Sequence, residues 1–221
     1  MKSKVLLFAL AATALSLTSK AQDAKTTFGV RAGVNFQNLT VKFGEDDDLD
    51  TKLKTGFNIG VNAEIPVAQD FYLQPGLLFS TKGAKADEGD GKFNLSYVEV
   101  PINFLYKPTL GDGKMLLGFG PYIGIGVGGK LKGDGDDVDI KFSNDLDDKQ
   151  ATEFGNLQTW YMKRLDFGGN LLVGYELSSK LSFQLNAQLG MSNLFPKIDG
   201  EKIDDAKIKN TGFGISVGYR F

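Results

Sequence analysis

From residue 28 onward, apolar residues recur at every second position through eight separate segments of the chain. A period of 2 is that of a β-strand, whose successive side chains point to opposite faces, whereas an amphipathic helix repeats every 3.6 residues. None of the eight apolar rows contains a charged residue. The pattern therefore predicts an all-β chain of eight amphipathic strands. Their apolar rows run from Phe28 to Phe36, Phe57 to Ile65, Phe71 to Phe79, Val98 to Tyr106, Met115 to Val127, Leu165 to Tyr175, Leu181 to Met191 and Phe213 to Phe221.

The connections between these segments alternate in length. They are short after the second, fourth and sixth segments, around residues 68–70, 109–113 and 178–179. They are long and acidic after the others, which predicts loops at about 38–54, 82–93, 129–162 and 195–209. Short turns at one end and long loops at the other are typical of an eight-stranded antiparallel up-and-down transmembrane β-barrel, with short periplasmic turns and long extracellular loops.

Alternation alone leaves open which face points inward, because a soluble lipocalin-like barrel has the same period with its apolar face inside. Three features favour an apolar exterior. The polar rows contain mainly Gly, Asn, Gln and Ser, and glycine suits the narrow interior of eight strands. Aromatic residues gather near both strand ends, as at membrane interfaces. The two predicted girdles comprise Phe28, Phe71, Tyr106, Tyr175, Phe183, Tyr219 and Phe221 at the periplasmic side, and Phe36, Phe57, Phe79 and Phe213 at the outer side.

The N-terminal segment has the layout of a secretory signal peptide. Lys2 and Lys4 precede an uncharged, mostly apolar run from Val5 to Leu17, and the small residues Ser19 and Ala21 occupy positions −3 and −1 of a cleavage after Ala21. The run is shorter than the roughly 20 residues that span a bilayer. We therefore expect a cleaved signal peptide at 1–21 and an outer-membrane barrel domain at 22–221, the alternatives being an uncleaved anchor or a buried N-terminal helix.

The composition argues against several classes of functional site. The 221 residues include no Cys and no His, so the sequence predicts no disulfide, no cysteine-linked lipid, no histidine-dependent catalysis and no zinc site of the usual kinds. The 25 basic and 27 acidic residues nearly balance, which gives no indication of a nucleic-acid partner. We predict no catalytic, cofactor-binding or metal-binding residue, and no enzyme.

The polar rows nevertheless contain charges that would lie inside the barrel. Charges removed from water need partners, so their equal numbers favour a neutral plug that fixes barrel packing; a proton or ion path, or a glutamate-based active site, is the alternative. Most of the set should lie toward the periplasmic end, with Glu99 near mid-height and Arg164 and Asp166 toward the outer end. The predicted interior charges are Arg31, Lys107, Arg164 and Arg220 against Glu64, Glu99, Asp166 and Glu176.

Two further patterns are less informative. Calcium prefers oxygen ligands such as those of clustered Asp side chains, but the clusters here lack EF-hand spacing, so a solvated loop is favoured over a weak divalent-cation site. The pairs Gly118-x-Gly120 and Gly124-x-Gly126 precede no helix and do not indicate dinucleotide binding. The Asp clusters are Asp46, Asp47, Asp48 and Asp50; Asp134, Asp136, Asp137 and Asp139; and Asp145, Asp147 and Asp148.

Four segments, taken in order, resemble the PorT-like outer-membrane β-barrel family, loosely called the porin family: Phe71–Lys85, Tyr97–Tyr106, Gly118–Gly124 and Asp166–Glu176. The resemblance covers nearly all of the chain after the signal peptide. It implies an eight-stranded barrel of the Gram-negative outer membrane. The founding PorT protein assists a protein-secretion system, whereas most relatives have no assigned activity. The segment Tyr219–Phe221 resembles the signal by which the barrel-assembly machinery recognises its clients.

We therefore expect an integral outer-membrane barrel with a structural or interaction role carried by its extracellular loops, accessory to secretion or surface processes. The alternatives are a small pore for ions or solutes and, more remotely, a secreted lipocalin-like barrel. The expected partners are outer-membrane lipids and lipopolysaccharide, the assembly machinery, and an unknown protein or surface ligand. Within the third long loop, Phe154, Trp160 and Tyr161 suggest a contact surface, unless the loop is only a hydrophilic cap. We also expect residues 132–148 to be dispensable for assembly.

Overall fold

The computed structural model describes residues 25–43, 48–49, 51–87, 89, 91–133, 137–156, 158–203 and 206–221. The predicted signal peptide, two of the Asp residues in the second cluster and most of the first cluster lie outside these residues. The described chain contains eight long strands that form a closed ring, each pairing antiparallel with the next and the last with the first. The eight strands are β1 (Thr27–Phe43), β2 (Thr51–Ala68), β3 (Phe71–Ala86), β4 (Lys92–Tyr106), β5 (Gly113–Lys132), β6 (Leu165–Glu176), β7 (Leu181–Gly190) and β8 (Ala206–Arg220).

The predicted up-and-down connectivity is confirmed. Tight turns join β2 to β3, β4 to β5 and β6 to β7, all at the end where β1 begins and β8 ends. Asp70, Gly111 and Lys180 adopt left-handed backbone angles in these turns, with φ of 60°, 60° and 67°. Such angles match the twist of a tight hairpin to that of its strands. This end is the periplasmic end of a barrel of this topology.

The apolar rows face outward, as predicted, and the lipocalin-like alternative is wrong. Phe28, Leu189 and Ile215 are 62%, 62% and 53% exposed, although all three lie within paired strands. The intervening polar residues are buried inside the ring. The aromatic girdles also form: Phe71 stacks on Tyr106 with ring centroids 4.7 Å apart near the periplasmic end. At the outer side, Phe36 and Phe213 of the predicted girdle have ring centroids 5.3 Å apart.

Above the outer girdle, the two faces of β1 exchange their chemistry. On β1 the inward row changes from polar residues such as Asn35 to the buried Leu39 and Val41, whereas the outward row changes from Val34 to Thr40. The pairing of β1 with β8 crosses this level without a bulge. The strand therefore continues unbroken out of the lipid into water, where its apolar side chains turn from the outside to the inside of the ring.

The same exchange occurs on other strands. On β8, Ile215 faces outward, while seven residues earlier Ile208 is buried and its neighbour Lys209 points out. On β4, Leu95 is buried inside and Ser96 lies outside. These residues and their partners extend the barrel wall above the membrane. Their side chains enclose an apolar cluster, the outer core: Leu39, Val41, Ala84, Phe93, Leu95, Tyr97, Ile140, Trp160, Met162, Leu194, Phe195, Ala206 and Ile208.

This extension corrects two of the predicted loops. β1 reaches Phe43 and β2 starts at Thr51, and β3 and β4 leave only residues 87–91 between them. The predicted loops at 38–54 and 82–93 are therefore mostly strand. The prediction followed a single apolar row along each strand, and that row loses its apolar character where the surrounding lipid gives way to water.

The third connection is folded rather than extended. Val138–Phe142 adds to β5 and pairs in parallel with Trp160–Met162, and helix α1 (Asp148–Gly155) lies between them. The helix begins with a capping box in which Asp147 accepts the Gln150 backbone N–H and the Gln150 side chain accepts the Asp147 N–H. None of the described helical segments is long and apolar enough to cross a membrane. Short strands also occur at Asp48–Leu49, Thr109–Leu110, Asp145–Leu146 and Lys197–Ile198.

Candidate functional site

The barrel interior contains two ionic clusters at different heights. The lower cluster lies near the periplasmic end and joins strands that are far apart in sequence. Lys107 Nζ lies 2.7 Å from Glu64 Oε2 and 2.9 Å from Glu176 Oε2. Arg220 Nη2 donates to Glu64 Oε1 from the last strand. These four residues occupy the end of the barrel that their strand positions predicted.

A chain of side-chain amides continues upward from the lower cluster. Gln74 Nε2 donates to Glu64 Oε1 over 3.1 Å, and Asn103 Nδ2 donates to Gln74 Oε1 over 3.2 Å. Asn170 Nδ2 then donates to Asn103 Oδ1 over 2.8 Å, so the chain crosses the barrel from β2 to β6. A buried amide without a hydrogen-bond partner destabilises the folded state. These hydrogen bonds therefore hold opposite walls of the barrel at a fixed distance. An apolar group fills the space beside it: Leu105, Leu116, Leu172 and Tyr72.

The upper cluster lies just below the outer core and is centred on a lysine. Lys82 Nζ lies 2.6 Å from Glu99 Oε1 and 3.3 Å from Asp166 Oδ2, and its side chain is fully buried. The same ammonium group lies 4.5 Å from the ring centroid of Tyr122 and 5.4 Å from that of Tyr97. A lysine held between two carboxylates and two aromatic faces is a well-compensated buried charge.

The two carboxylates of the upper cluster have further donors. Asp166 Oδ2 accepts hydrogen bonds from Tyr122 OH at 3.1 Å and Asn210 Nδ2 at 2.9 Å, and Asp166 Oδ1 accepts one from Ser192 Oγ at 2.8 Å. Glu99 Oε2 accepts one from Gln188 Nε2 at 3.1 Å. The cluster thus connects β3, β4, β5, β6, β7 and β8 around one lysine.

The structure changes the predicted set of interior charges at two positions, Arg164 and Lys82, and leaves Arg31 inside. Arg164 is exposed rather than interior, because β6 starts one residue later. Lys82 is interior instead, and the sequence analysis missed it because it ended the third strand at residue 80. Extending that inward row by two residues would have found it. Arg31 belongs to neither ionic cluster: its Nη1 donates to Asn186 Oδ1, and its side chain borders a cavity beside Glu99.

The formal charges of the corrected set of interior side chains still balance. In the part of the chain that the structure describes, these comprise four basic and four acidic side chains, so their formal charges cancel, as the plug interpretation requires. The basic residues are Arg31, Lys82, Lys107 and Arg220, and the acidic residues are Glu64, Glu99, Asp166 and Glu176.

The interior cavity at mid-height is small. Its volume is about 30 Å³, and its lining is mixed, with Arg31, Asn35 and Glu99 beside Leu78 and Phe213. A cavity of this size accommodates about one or two water molecules. It is a small pocket among packed side chains.

Large side chains fill the levels above and below this cavity. Tyr97 and Leu105 are fully buried, and Tyr122 is 1% exposed. At the outer mouth, Phe142 folds over the glycine row of β5, where a Cβ on Gly126 would overlap the Phe142 ring. The Phe142 ring of the third connection therefore occupies the space beside Gly126 and covers the outer mouth of the barrel.

The aromatic residues of the third connection do not form a contact surface, so that prediction is wrong. Trp160 and Tyr161 are 7% and 3% exposed. Phe154 packs against Trp160 and Phe195, with ring centroids 5.1 and 5.7 Å apart. The rings pack into the outer core, because that core is the apolar environment available above the membrane.

The premise that residues 132–148 are separable from the barrel is also contradicted. Lys132 ends β5, while Ile140 and Leu146 are buried. Ile140 belongs to the outer core, so replacing the segment with a short linker would remove part of that core.

The described acidic residues of the loops have local structural roles. Asp147 caps α1, Asp145 accepts the Gly200 backbone N–H, and Asp137 lies within 3.7 Å of Lys130 and Lys132. Within the residues that the structure describes, no group of three or more acidic side chains has a geometry that could hold a metal ion. Asp137, Asp145 and Asp147 therefore make local contacts within the folded connections.

Residues 20–196 match the profile of the family described as "Outer membrane protein beta-barrel domain". The chain belongs to this family. It is an integral protein of the outer membrane, and the polar ends of its strands rise from the lipid on the outer side. The match extends to the broad family and not to the PorT-like group.

Several solved structures resemble this outer-membrane barrel, and each is aligned over 90% of this chain and 100% of its own length. The attachment invasion locus protein Ail of Yersinia pestis is 14% identical, with a TM-score of 0.43. Neisserial surface protein A is 11% identical, with a TM-score of 0.46. A major outer membrane protein of Thermus thermophilus is 15% identical, with a TM-score of 0.47. No curated protein matches the chain.

Proposed function

We propose that the protein is a closed, non-conducting and non-enzymatic barrel with a structural or interaction role, carried by the part that stands outside the membrane. The observation that supports this role is the filled interior. Two ionic clusters, the amide chain and the outer core succeed one another along the barrel, leaving a cavity of only about 30 Å³ at mid-height. An interior of this kind stabilises a scaffold and transports nothing.

The part of the protein above the membrane presents helix α1 on a well-packed support. Helix α1 has no buried residue in its span, and its polar residues Asp148, Lys149 and Thr152 are exposed. It is nevertheless anchored, since Phe154 packs on the outer core and Tyr161 OH donates to Glu153 Oε2 over 2.9 Å. Surface loops held on a rigid scaffold are where binding residues concentrate. We infer that the exposed face of α1 contacts a protein or surface ligand, in a process accessory to secretion or at the cell surface.

Two further partners follow from the exterior. The outward apolar rows contact outer-membrane lipids and lipopolysaccharide. The strand end formed by Tyr219 and Phe221, with Phe221 64% exposed, is the aromatic feature that the barrel-assembly machinery would recognise.

Planar-bilayer conductance tests the closed state. We expect reconstituted wild-type protein to show no steady channel, because Tyr97 and Tyr122 obstruct the interior. A steady channel would favour the alternative, a small pore. In that event Glu99→Gln should change the ion selectivity, and the matched exposed variant Glu201→Gln should not.

Complementation of a gene deletion tests the interaction role. The charge-swap variant Asp148→Lys with Lys149→Glu alters the exposed face of α1 and leaves the outer core intact. We expect it to assemble normally, with heat-modifiable gel mobility, and to fail to restore a surface phenotype. The control swap, Asp112→Lys with Lys25→Glu, changes two exposed residues at the periplasmic end and should restore it. Full rescue by the α1 variant would contradict a role for this face.

A further inference from the structure

Strand β7 stops at Gly190, and an irregular segment closes the wall above it. The Met191 backbone N–H donates to Phe167 O, and the Leu194 N–H donates to Ile208 O, so residues 191–194 bridge β6 and β8. The Lys163 N–H donates back to Leu194 O over 2.7 Å. On the outer surface of this segment lies a recess of about 540 Å³.

The recess lies where the membrane-facing surface meets the aqueous one. Its apolar rim consists of Leu165, Phe167 and Met191, which are among the exposed outward residues of the wall. None of the lysines on its other rim forms an ion pair with a carboxylate of the described residues. The lysines that line the recess are Lys163, Lys197, Lys202 and Lys207.

In the turn at residues 197–202, the two lysines and Asp199 lie on different sides. Lys197 and Lys202 line the recess, whereas Asp199 lies near Asp148 beside α1. The proximity of Asp148 is the main reason that the pKa of the Asp199 carboxyl is raised. Burial, followed by repulsion from Lys202 and Lys197, lowers the pKa of Lys163. Among the residues that the structure describes, the four lysines therefore lie on the recess side of the turn, and Asp199 lies on the side of α1.

Directly below the recess, an apolar groove of about 990 Å³ runs along the lipid-facing wall. Met191 lines both features, so the groove continues the recess toward the membrane. The groove exists because small residues stand in the outward rows there, and a Cβ at Gly169 would meet no atom within 4 Å. Its lining includes Pro121, Gly169, Ala187, Phe119, Leu171, Leu189 and Phe213.

We propose that the recess and groove bind one phosphorylated, acylated glycolipid of the outer leaflet, with the chemistry of the lipid A part of lipopolysaccharide. The phosphates contact the four lysines, and an acyl chain lies in the groove over Gly169. Several clustered ammonium groups at the outer membrane boundary match an amphiphile with more than one phosphate better than a zwitterionic phospholipid. This inference depends on the outer-membrane location and not on the proposed interaction role of α1.

Native mass spectrometry of the purified full chain in detergent, titrated with diphosphorylated lipid A, tests the headgroup contacts. The variant Lys197→Gln, Lys202→Gln, Lys207→Gln should bind about 100-fold more weakly, since each lysine near an anionic lipid surface contributes about fivefold. The control Lys85→Gln, Lys92→Gln, Lys141→Gln removes three exposed outer lysines and should bind as wild type does. Equal affinity of wild type and the first variant, or an equal loss in the control, would overturn the proposal.

Two further binding experiments identify the source of the phosphate group. Lipid A stripped of its phosphates should bind wild type as weakly as intact lipid A binds the triple variant. Inorganic phosphate should compete only weakly with lipid A. Strong competition would show a site for free phosphate and would contradict the glycolipid assignment.

Filling the groove tests the acyl contact separately. Gly169→Trp points a large ring into open space on the lipid face, so the barrel should fold and retain its heat-modifiable mobility. We expect lipid A binding to fall about tenfold or more, given roughly 25 cal/mol for each Å² of acyl-chain surface that the ring keeps out of the groove. Val173→Trp, on the same face of the same strand but below the groove, is the control. Unchanged lipid A binding by Gly169→Trp would exclude the groove from the site.

Discussion

The membrane-spanning part of the barrel and the part above it are built from the same strands, with opposite interiors. Within the membrane, Lys82, Glu64 and their partners fill the inside, and Ile215 and its neighbours face the lipid. Above it, residues such as Ile208 and Trp160 fill the inside, and polar residues face water. The strand backbone and its alternation do not change at the boundary. The solvent outside the wall therefore decides which row is apolar.

The two parts are consequently stabilised in different ways. The outer core gains from removing apolar surface from water, as in a soluble protein. The membrane part already has its apolar rows in lipid, so its interior contributes mainly through matched charges and amides whose loss would leave a buried partner uncompensated. The single tryptophan, Trp160, lies in the outer core, so its fluorescence reports that part. Gel mobility without boiling reports closure of the whole barrel.

Removing the charge of Lys82 should have the largest effect. Lys82→Met leaves Glu99 and Asp166 buried without their shared cation, which should lower the free energy of unfolding by about 3–5 kcal/mol. Urea unfolding in detergent should show the loss by both Trp160 fluorescence and gel mobility. The control Lys52→Met breaks an exposed pair with Asp87 and should cost about 0–1 kcal/mol. Equal effects of the two variants would contradict the matched-charge interior.

A pair of isoleucines on β8 compares the two interiors directly. Ile208→Ala should cost about 2–5 kcal/mol, because it loses apolar burial and leaves a cavity in the outer core. Ile215→Ala only reduces the area that faces lipid and should cost less, about 1–2 kcal/mol. Trp160 fluorescence should shift most for Ile208→Ala. A larger loss for Ile215→Ala would mean that the outer core does not stabilise the protein as a soluble core does.

Arginine substitutions on the outward row locate the outer boundary of the membrane. Ile215→Arg places a charge in the lipid and should cost about 2–4 kcal/mol, whereas Thr211→Arg, at the boundary, should cost about 0–1 kcal/mol. Unfolding from lipid vesicles measures both values. Similar costs at the two positions would show that the lipid extends above residue 211.

The smallest expected effect is a pH dependence confined to the outer part. The pKa of Asp199 is raised chiefly by the nearby charge of Asp148. The folded state therefore binds this proton more tightly than the unfolded state, whose pKa is near 3.8. The resulting stabilisation is present below that value and is lost as the pH rises through the folded pKa. The protection of the backbone amides around residues 197–203 against hydrogen exchange, relative to their intrinsic rate at each pH, should rise on acidification in wild type. This rise should be smaller in Asp199→Asn.

The Asp199 prediction has a simple control. Asp112→Asn removes an exposed carboxyl at a periplasmic turn and should leave the pH dependence at 197–203 unchanged. An unaltered pH response in Asp199→Asn would assign the effect to another group.

The sequence analysis predicted the strands in the membrane well, because lipid outside and polar groups inside produce a strong alternation there. It missed the continuation of β3 to Ala86, and with it Lys82, because the outward row becomes polar after Phe79. It also assigned Trp160 and Tyr161 to a surface, since a local pattern cannot show that apolar residues from distant strands converge above the membrane. Arg164 was misplaced for a related reason, as the start of β6 depends on pairing with β5.

The alternation of residues along this chain determined the number of barrel strands, and the lengths of the connections determined their order and the end at which the short turns lie. The glycine-rich polar rows and the aromatic girdles determined which row faces outward. All of these are local features of the sequence. Tertiary structure alone decided which charges meet and how the mouth closes. Lys82 and Asp166 are 84 residues apart, and Arg220 and Glu64 are 156 apart. The lysine-lined recess also exists only because β7 ends short of its neighbours. Such contacts depend on strand register and curvature, which bring together residues that no local pattern relates.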